Sequence, residues 1–270
     1  MTARVALTVA GSDPSGGAGI QADLKTFSAL GAYGTAVLTA LTAQNTRGVS
    51  GVHPVPAEFV RQQLITLLDD VTVHATKTGM LGSAGVVREV AAVLGEGRAG
   101  PVVVDPVMVA TSGDRLIDDD AVAAVRDELL PVADLVTPNV PEAAALLGTE
   151  AATGEDELPD RARALLALGP RAVLLKGGHL GGADSVDVLA TADGVTVTRR
   201  PRVTTTATHG TGCTLSAALA ALAAQSPEAG WPALVEPARD YLQRALTAGE
   251  SLGIGSGHGP VHHFAGTWPA

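Results

Sequence analysis

Short apolar runs typical of β-strands alternate along this chain with longer runs typical of helices, and no other feature restricts its possible folds so strongly. The strand-like runs are Arg4–Ala10, Gly34–Ala43, Val71–Thr78, Pro101–Asp105, Asp134–Thr137 and Arg171–Lys176. The helix-like runs are Ala18–Leu30, Ala57–Leu68, Ala84–Leu94, Asp119–Leu130, Pro141–Leu147 and Leu158–Leu168. Repeated strand–helix–strand units predict an α/β fold in which helices cover both faces of a mostly parallel central sheet.

The last third of the chain departs from this rhythm. Ser185–Ala190 and Val195–Thr198, joined by Asp193-Gly194, predict an antiparallel hairpin. Leu215–Ala224 has the composition of a buried helix, and Trp231–Leu252 predicts a long helical region that Pro237 divides or delays. Because no internal repeat and no linker-like stretch interrupts the pattern, we predict one domain over residues 1–270.

Charge and composition narrow the class of partner. The formal net charge of −10 argues against a general binder of nucleic acid or anionic membranes, so an anionic ligand must be held by local N–H groups and a few placed cations. Neither a signal peptide nor a membrane span is evident, and a single cysteine indicates a reducing compartment. These features predict a cytoplasmic protein.

Glycines and polar residues follow the predicted strands at the point where each strand ends. The segments are Gly11-Ser12-Asp13, Gln44-Asn45, Gly79-Met80-Leu81-Gly82, Asp105-Pro106-Val107, Thr137-Pro138-Asn139 and Lys176-Gly177-Gly178-His179. In an open parallel sheet the carboxyl ends of the strands meet at the edge where ligands bind. The loop Gly11–Gly19 is not a P-loop, because no Lys-Ser/Thr pair follows its glycines.

The run Thr208–Thr214 places two glycines directly before the apolar segment Leu215–Ala224. A glycine loop that feeds a helix presents free backbone N–H groups at the positive end of the helix dipole, which favours phosphate. Cys213, the only cysteine, stands in this loop, where the same field should favour its thiolate. The alternative interpretation is a small buried apolar side chain.

Asp105, Asn139, Glu142 and Lys176 form a candidate set for phosphate and a divalent metal. A hard cation prefers oxygen ligands and retains several waters, so Asp105 and Glu142 could act through those waters. Lys176 ends a strand and is placed to contact a transferring phosphoryl group. Taken singly, each of these residues is also compatible with a surface ion pair or a helix cap.

Gln44 and Asp23 are candidate substrate contacts. A carboxamide offers a donor and an acceptor together, which suits the edge of a planar heterocycle, although a loop-capping Gln44 fits the sequence equally well. Asp23 lies early in the first predicted helix, as a partner of the helix dipole or as an acceptor for a substrate hydroxyl.

Together the motifs of this chain closely resemble those of the hydroxymethylpyrimidine/phosphomethylpyrimidine kinases of thiamine biosynthesis. The resemblance runs from about residue 4 to residue 264 and rests on the segments 10–25, 42–45, 105–108, 139–142, 175–179, 209–214 and 257–260. It implies a ribokinase-like three-layer α/β/α sandwich, a homodimer, and ATP-dependent phosphorylation of 4-amino-5-hydroxymethyl-2-methylpyrimidine to its monophosphate and then its diphosphate.

The resemblance also implies roles for individual residues. Gln44 should contact the pyrimidine, and the pocket should be lined by Gly11, Asp23, Met80 and Val107. ATP should be bound by Asn139, Glu142, Lys176 and Thr208, with Mg²⁺ near Asp105 and Glu142. Catalysis is assigned to Lys176 and to the anion hole formed by Gly210, Gly212 and Cys213.

Cys213 marks a departure from the wider superfamily, because ribokinase-like sugar kinases carry an Asp general base at this position. A modest base role for Cys213 is expected if the helix terminus lowers its pKa; the alternative is a role through position alone.

Two other functions of the protein stay open: a pyridoxal kinase on the same fold, and a non-catalytic sensor. The segments expected to close over the pocket are the hairpin near Asp193 and the loop Ala110–Leu116.

Overall fold

A computed structural model describes residues 2–108 and 118–268 of the chain. Its main sheet has eight strands in the order β10-β9-β8-β7-β6-β5-β1-β2, and the strands from β2 to β8 in this order are parallel. The strands are β1 (Val5–Ala10), β2 (Tyr33–Leu38), β5 (Ala75–Thr78), β6 (Val102–Val104), β7 (Leu135–Val136), β8 (Ala172–Lys176), β9 (Asp184–Thr191) and β10 (Gly194–Pro201). The predicted α/β sheet is confirmed, and so is the antiparallel hairpin of β9 and β10.

Helices cover both faces of this sheet, as the sequence predicted. They are α1 (Gly19–Ala29), α2 (Ala57–Leu68), α3 (Ala84–Leu94), α4 (Asp119–Ala124), α5 (Val140–Leu147), α6 (Leu158–Leu166), α7 (Thr211–Gln225) and α8 (Trp231–Thr247). Alternate residues of each strand enter separate cores: Val173 and Leu175 of β8 pack with α2 to α6, whereas Leu174 packs with α1, α7 and α8. No helix in the described part of the chain is both long enough and apolar enough to span a bilayer.

The predicted strand Gly34–Ala43 is wrong as a single element. The chain leaves the main sheet after β2 and forms a separate two-stranded ribbon from β3 (Ala40–Asn45) and β4 (Gly48–Pro54). Thr39 makes the turn, because its N–H bonds to the carbonyl of Ala10 while its own carbonyl accepts from Val55. The sequence did not predict β4, because its glycines and proline have low strand propensity.

Two helix predictions also need correction. The predicted helix Asp119–Leu130 is α-helical only to Ala124 and continues as a π turn over Val125–Leu129 and a 3₁₀ turn over Leu130–Val132. Pro237 lies inside α8 without dividing it, since the helix is held by buried side chains on both sides of the proline, among them Val235 and Ala238. A short 3₁₀ turn, Gly249–Leu252, follows α8.

The order in which the chain adds strands to the main sheet reverses at β1, between its neighbours β2 and β5. From β1 the chain first adds β2 on one side, and later returns to add β5 and β6 on the other. The loops that follow β1 and β5 meet there, with the N–H of Gly11 bonded to the carbonyl of Met80 at 3.2 Å. A reversal of this kind opens a crevice at the carboxyl edge of the sheet, and the predicted ligand residues lie along that edge.

Candidate active site

The loop before α7 provides backbone donors for an anion. Gly210 adopts a left-handed conformation with φ of 79°, and a Cβ there would lie 1.7 Å from the carbonyl oxygen of Gly17. Only glycine fits such a place. The N–H groups of Gly212 and Cys213 lie in the first turn of α7, where an α-helix supplies no backbone acceptor. The start of α7 therefore has the backbone arrangement from which anion binding is predicted.

Lys176 lies beside this loop and is held by Asp105. The Nζ of Lys176 is 3.1 Å from Oδ1 of Asp105, and Ser216 of α7 donates to Oδ2 of the same carboxylate at 3.2 Å. A Cβ placed on Gly212 would be 3.4 Å from the Nζ of Lys176. The ammonium group and the free N–H groups of α7 thus face the same small space.

Asn139 and Glu142 form a capping box at the start of α5. The side chain of Asn139 accepts from the N–H of Glu142 at 2.9 Å, and the carboxylate of Glu142 accepts from the N–H of Asn139 at 2.7 Å. Asn139 also forms a β-bridge with Lys176, which brings this cap to the same edge. Burial raises the pKa of Glu142 from about 4.5 to about 7, against the opposing effect of the Lys176 ammonium.

The raised pKa of Glu142 predicts a pH-dependent stability. A carboxyl group that is protonated more easily when folded stabilises the protein fully below pH ~4.5, and this contribution is lost as the pH rises through about 7. Between pH 5 and 8 the free energy of unfolding should fall by about 2 kcal/mol through this group. Denaturant titrations at several pH values should show this fall in the free energy of unfolding for wild type but not for Glu142→Gln.

Glu128→Gln is the matched control, because Glu128 is 41% exposed and forms only a surface ion pair with Arg88. We expect Glu128→Gln to keep the wild-type pH dependence. A Glu142→Gln variant whose stability follows that of wild type at every pH would contradict the raised pKa.

The two candidate metal residues are both engaged with the protein. The side chain of Asp105 is 2% exposed and binds Lys176, while Glu142 accepts from the backbone N–H groups of Asn139 and Met108. Over residues 2–108 and 118–268, no cluster of three or more His, Cys, Asp or Glu side chains is arranged to hold a metal. The two carboxylates fit a hydrated ion that reaches this edge with a polyphosphate better than they fit a resident ion.

Four of the predicted substrate residues lie on four different segments, namely Gly11 after β1, Gln44 on β3, Met80 after β5 and Val107 after β6. Gly11 packs against Met80 so closely that a Cβ on Gly11 would be 2.4 Å from the Met80 Cε atom. The ribbon strand β3 joins them, because Thr42 donates to the carbonyl of Ser12 at 2.9 Å and to Oε1 of Gln44 at 3.3 Å. Val107 lies half-buried after β6, two residues after Asp105 in the chain.

The predicted contact between Asp23 and a substrate is not compatible with this geometry. The side chain of Asp23 is fully buried, and its oxygens accept from Lys77 at 2.9 and 3.0 Å and from Thr8 at 2.6 Å. Lys77, on β5, is equally buried. Burial raises the pKa of Asp23, and the Lys77 ammonium acts in the opposite direction. We therefore assign Asp23 to a buried ion pair beneath the site.

The expectation that the helix terminus lowers the pKa of Cys213 is wrong. Desolvation raises the pKa of the thiol to about 11, although the nearby Lys77 ammonium and the N–H of Gly19, which bonds to the thiol, act in the opposite direction. The residue is half-buried between the starts of α1 and α7. At neutral pH the group at this position is a thiol.

Thr208 supports the loop through its backbone. Its carbonyl accepts from the N–H of Thr211 at 3.2 Å and from the Thr211 hydroxyl at 2.6 Å. Arg202 is a further loop-forming residue that the sequence did not predict. Its guanidinium donates to the carbonyls of Gly178, Gly181, Gly182 and Asp184 after Lys176. No local sequence signal marks Arg202, because its partners belong to a different strand connection.

One predicted closing segment lies at the wrong edge of the sheet. Thr191, which ends β9, pairs with Ala172 at the start of β8, so the turn containing Asp193 is at the edge opposite to Lys176. It cannot close over the site from there. The other candidate, Ala110–Leu116, lies outside the described residues.

Comparison with known proteins adds independent information. A family model described as phosphomethylpyrimidine kinase matches residues 13–262. A hydroxymethylpyrimidine/phosphomethylpyrimidine kinase of Escherichia coli is 52% identical over 97% of this chain and 98% of its own length. One from Rhizobium meliloti is also 52% identical, over 99% of both chains.

Solved structures share the architecture. A Bacillus subtilis pyridoxal kinase in complex with ADP has a TM-score of 0.90 at 34% identity, covering 99% of this chain and all of that one. A phosphomethylpyrimidine kinase from Clostridium difficile has a TM-score of 0.78 at 38% identity, covering 89% of this chain and 98% of that one. The ribokinase-like fold implied by the sequence motifs is confirmed.

Proposed function

This chain belongs to the phosphomethylpyrimidine kinase family, and from that membership we infer that it phosphorylates hydroxymethylpyrimidine and then the resulting monophosphate, with ATP as donor, in thiamine biosynthesis. The observation that carries the inference is the joint placement of Lys176, Asp105 and the free N–H groups of Gly212 and Cys213 at one edge of the sheet. These are groups that a phosphoryl transfer needs.

The geometry supports catalysis by alignment and charge neutralisation. We propose that the N–H groups at the start of α7 bind the transferring phosphoryl group, and that Lys176 neutralises its charge from the side. Asp105 holds the ammonium in place, and Ser216 bonds Asp105 to α7, so the ammonium group is linked to the helix that carries the N–H donors. Phosphoryl transfer through a loose transition state depends chiefly on such positioning.

Binding of the nucleotide is proposed for Asn139, Glu142, Lys176 and the backbone around Thr208. Mg²⁺, held through water by Asp105 and Glu142, would neutralise charge on the ATP phosphates. Because Glu142 is protonated more easily than a normal glutamate, arrival of a cation there should favour its ionised form.

The substrate ring is proposed to lie between Gly11 and Met80 on one side and the ribbon on the other. Gln44 offers a donor and an acceptor that match a ring nitrogen and its neighbouring exocyclic amine. The same crevice accepts the monophosphate when its phosphate takes the place of the hydroxyl beside α7. Val107 closes the apolar side of this pocket.

The test is a coupled ATPase assay with the pyrimidine alcohol, its monophosphate and pyridoxal in parallel. We expect turnover with both pyrimidines and a lower kcat/KM with pyridoxal. Pyridoxal is the relevant competitor, because pyridoxal kinases share the fold. A higher kcat/KM for pyridoxal would overturn the assignment, and an absence of any substrate-dependent ATP consumption would indicate the sensor alternative.

The neutral thiol of Cys213 leads to a prediction about pH. A thiol with a pKa of about 11 is almost wholly protonated at pH 7–9, so kcat should not rise with pH through its ionisation. Cys213→Ser should keep the wild-type pH profile and lose no more than about tenfold in kcat, which corresponds to ~1.4 kcal/mol of barrier.

Because Cys213 is the only cysteine, ultraviolet absorbance of the thiolate reports its ionisation directly. A thiolate signal that appears below pH 8, together with a kcat that rises in parallel in wild type and stays flat in Cys213→Ser, would restore the base role.

We also propose that residues 1–270 form one kinase domain that acts as a homodimer. The ribbon of β3 and β4 stands apart from the main sheet and exposes Leu41 by 47% and Val52 by 50%, which suits contact with a second copy. Light scattering of wild type and Leu41→Asp measures the association directly.

A further inference from the structure

His209 is a junction between three segments that are distant in the sequence. It directly precedes Gly210 of the anion-binding loop. Its backbone pairs with the C-terminal segment, because its N–H bonds to the carbonyl of Gly259 at 3.0 Å and its carbonyl accepts from Val261 at 3.4 Å. Its side chain reaches the loop after β1, where Nε2 lies 2.7 Å from Oδ2 of Asp13. The mechanism above uses neither residue.

The carboxylate of Asp13 is buried and held in place by several hydrogen bonds. The side chain is 1% exposed, and besides the His209 ring its carboxylate accepts from Ser15, Gly17 and Ala18 at distances of 2.7–3.1 Å. Burial alone would raise its pKa, but the hydrogen bonds from His209 and Ser15 lower it to about 2. The carboxylate is therefore ionised at every pH at which the enzyme would work.

The loop that contains Gly17 and the loop that contains His209 and Gly210 pack tightly against each other. A Cβ on Gly17 would lie 2.3 Å from Cδ2 of His209, and the carbonyl of Gly17 occupies the position that a side chain at residue 210 would need. Because the two loops leave no room even for a Cβ at residues 17 and 210, a shift of the His209 ring is expected to shift the adjoining backbone of Gly210. The first turn of α7, with the free N–H groups of Gly212 and Cys213, follows directly.

We propose that the Asp13–His209 hydrogen bond positions the anion-binding turn of α7 for phosphoryl transfer. We treat both as positioning residues, because their side chains bond to each other and the Asp13 carboxylate also accepts from the N–H groups of Gly17 and Ala18. The inference rests on the proposed kinase function, in which donors aligned with the transition state lower the barrier. Loss of the bond should therefore lower kcat and leave the KM for the pyrimidine nearly unchanged.

The experiment compares His209→Gln with His209→Asn. Both carry the same carboxamide, but only glutamine is long enough to place its N–H₂ group where Nε2 of histidine reaches Asp13. We expect His209→Gln to retain kcat within threefold of wild type and His209→Asn to lose 10–30-fold, with both KM values within threefold. His258→Asn is the control for the substitution itself, because His258 is an exposed residue of the same C-terminal segment.

Melting temperatures of both His209 variants show that any loss of kcat occurs in folded protein. Equal kcat values for His209→Gln and His209→Asn, or a loss that appears in KM instead of kcat, would overturn the proposal. A wild-type enzyme without pyrimidine-dependent turnover would instead overturn the kinase assignment. Should His209→Asn fail to fold, recovery of folding but not of kcat in His209→Gln also counts against the proposal.

Discussion

Replacement of Lys176 by methionine should lower kcat by about a thousandfold. Methionine keeps most of the length of the side chain but removes the ammonium group, whose nitrogen would lie 3.4 Å from a Cβ on Gly212 at the start of α7. A donor that acts on charge developing in the transition state contributes on the order of 10²–10³ in rate, and a full charge in a dry site lies at the upper end. Single-turnover kinetics of ATP with the pyrimidine alcohol measure this step.

The fold should survive this change, because Asp105 keeps its contacts with Thr137 and Ser216. Arg171→Met is the matched control, since it removes a cation that is 82% exposed at the opposite edge of the sheet. Its kcat should equal that of wild type. A Lys176→Met enzyme that retains more than a tenth of the wild-type kcat would remove Lys176 from the mechanism.

Replacement of Lys77 by methionine should destabilise the protein by about 3–5 kcal/mol, because it leaves the carboxylate of Asp23 buried without a counter-charge. Both side chains of this pair are fully buried, so water cannot compensate for the lost ammonium. For a chain of this size the expected loss corresponds to a decrease of roughly 10 °C in melting temperature. Differential scanning calorimetry provides the measurement.

The double variant Lys77→Met with Asp23→Leu distinguishes the cost of an unpaired buried charge from the cost of changed packing. Removal of both charges should restore most of the lost stability, since an apolar pair of similar volume costs little in a core. Arg88→Met, which breaks a surface pair with Glu128, should change the stability by less than about 1 kcal/mol. Equal stabilities of Lys77→Met and Arg88→Met would contradict the expectation that burial makes the loss of a counter-charge costly.

Much of the site could be predicted, because the carboxyl ends of parallel strands share one edge. Asp105, Asn139 and Lys176 each follow a short apolar strand, and the structure joins them through the contact of Lys176 with Asp105 and its bridge with Asn139. Strand periodicity alone was enough to place them. The bounds of α2 and α3 were also predicted correctly, since both helices have a regular apolar face and are bounded by clear start signals.

What the sequence could not show are contacts between segments far apart in the chain. Lys77 and Asp23 are separated by 54 positions, and His209 and Asp13 by 196. Each of these residues taken alone matches a surface charge or a loop residue. The pKa of Cys213 was predicted with the wrong sign because the helix terminus is visible in the sequence, whereas the desolvation that outweighs it depends on the packing of α1 against α7.

The separate ribbon of β3 and β4 has a consequence for substrate selectivity. Gln44, which is proposed to hydrogen-bond to the heterocycle, lies on this ribbon. Lys176, Asp105 and the first turn of α7 belong to the central sheet and its flanking elements. Substitutions in the ribbon are therefore expected to change which flat ring is accepted, while the groups proposed to bind phosphate keep their positions.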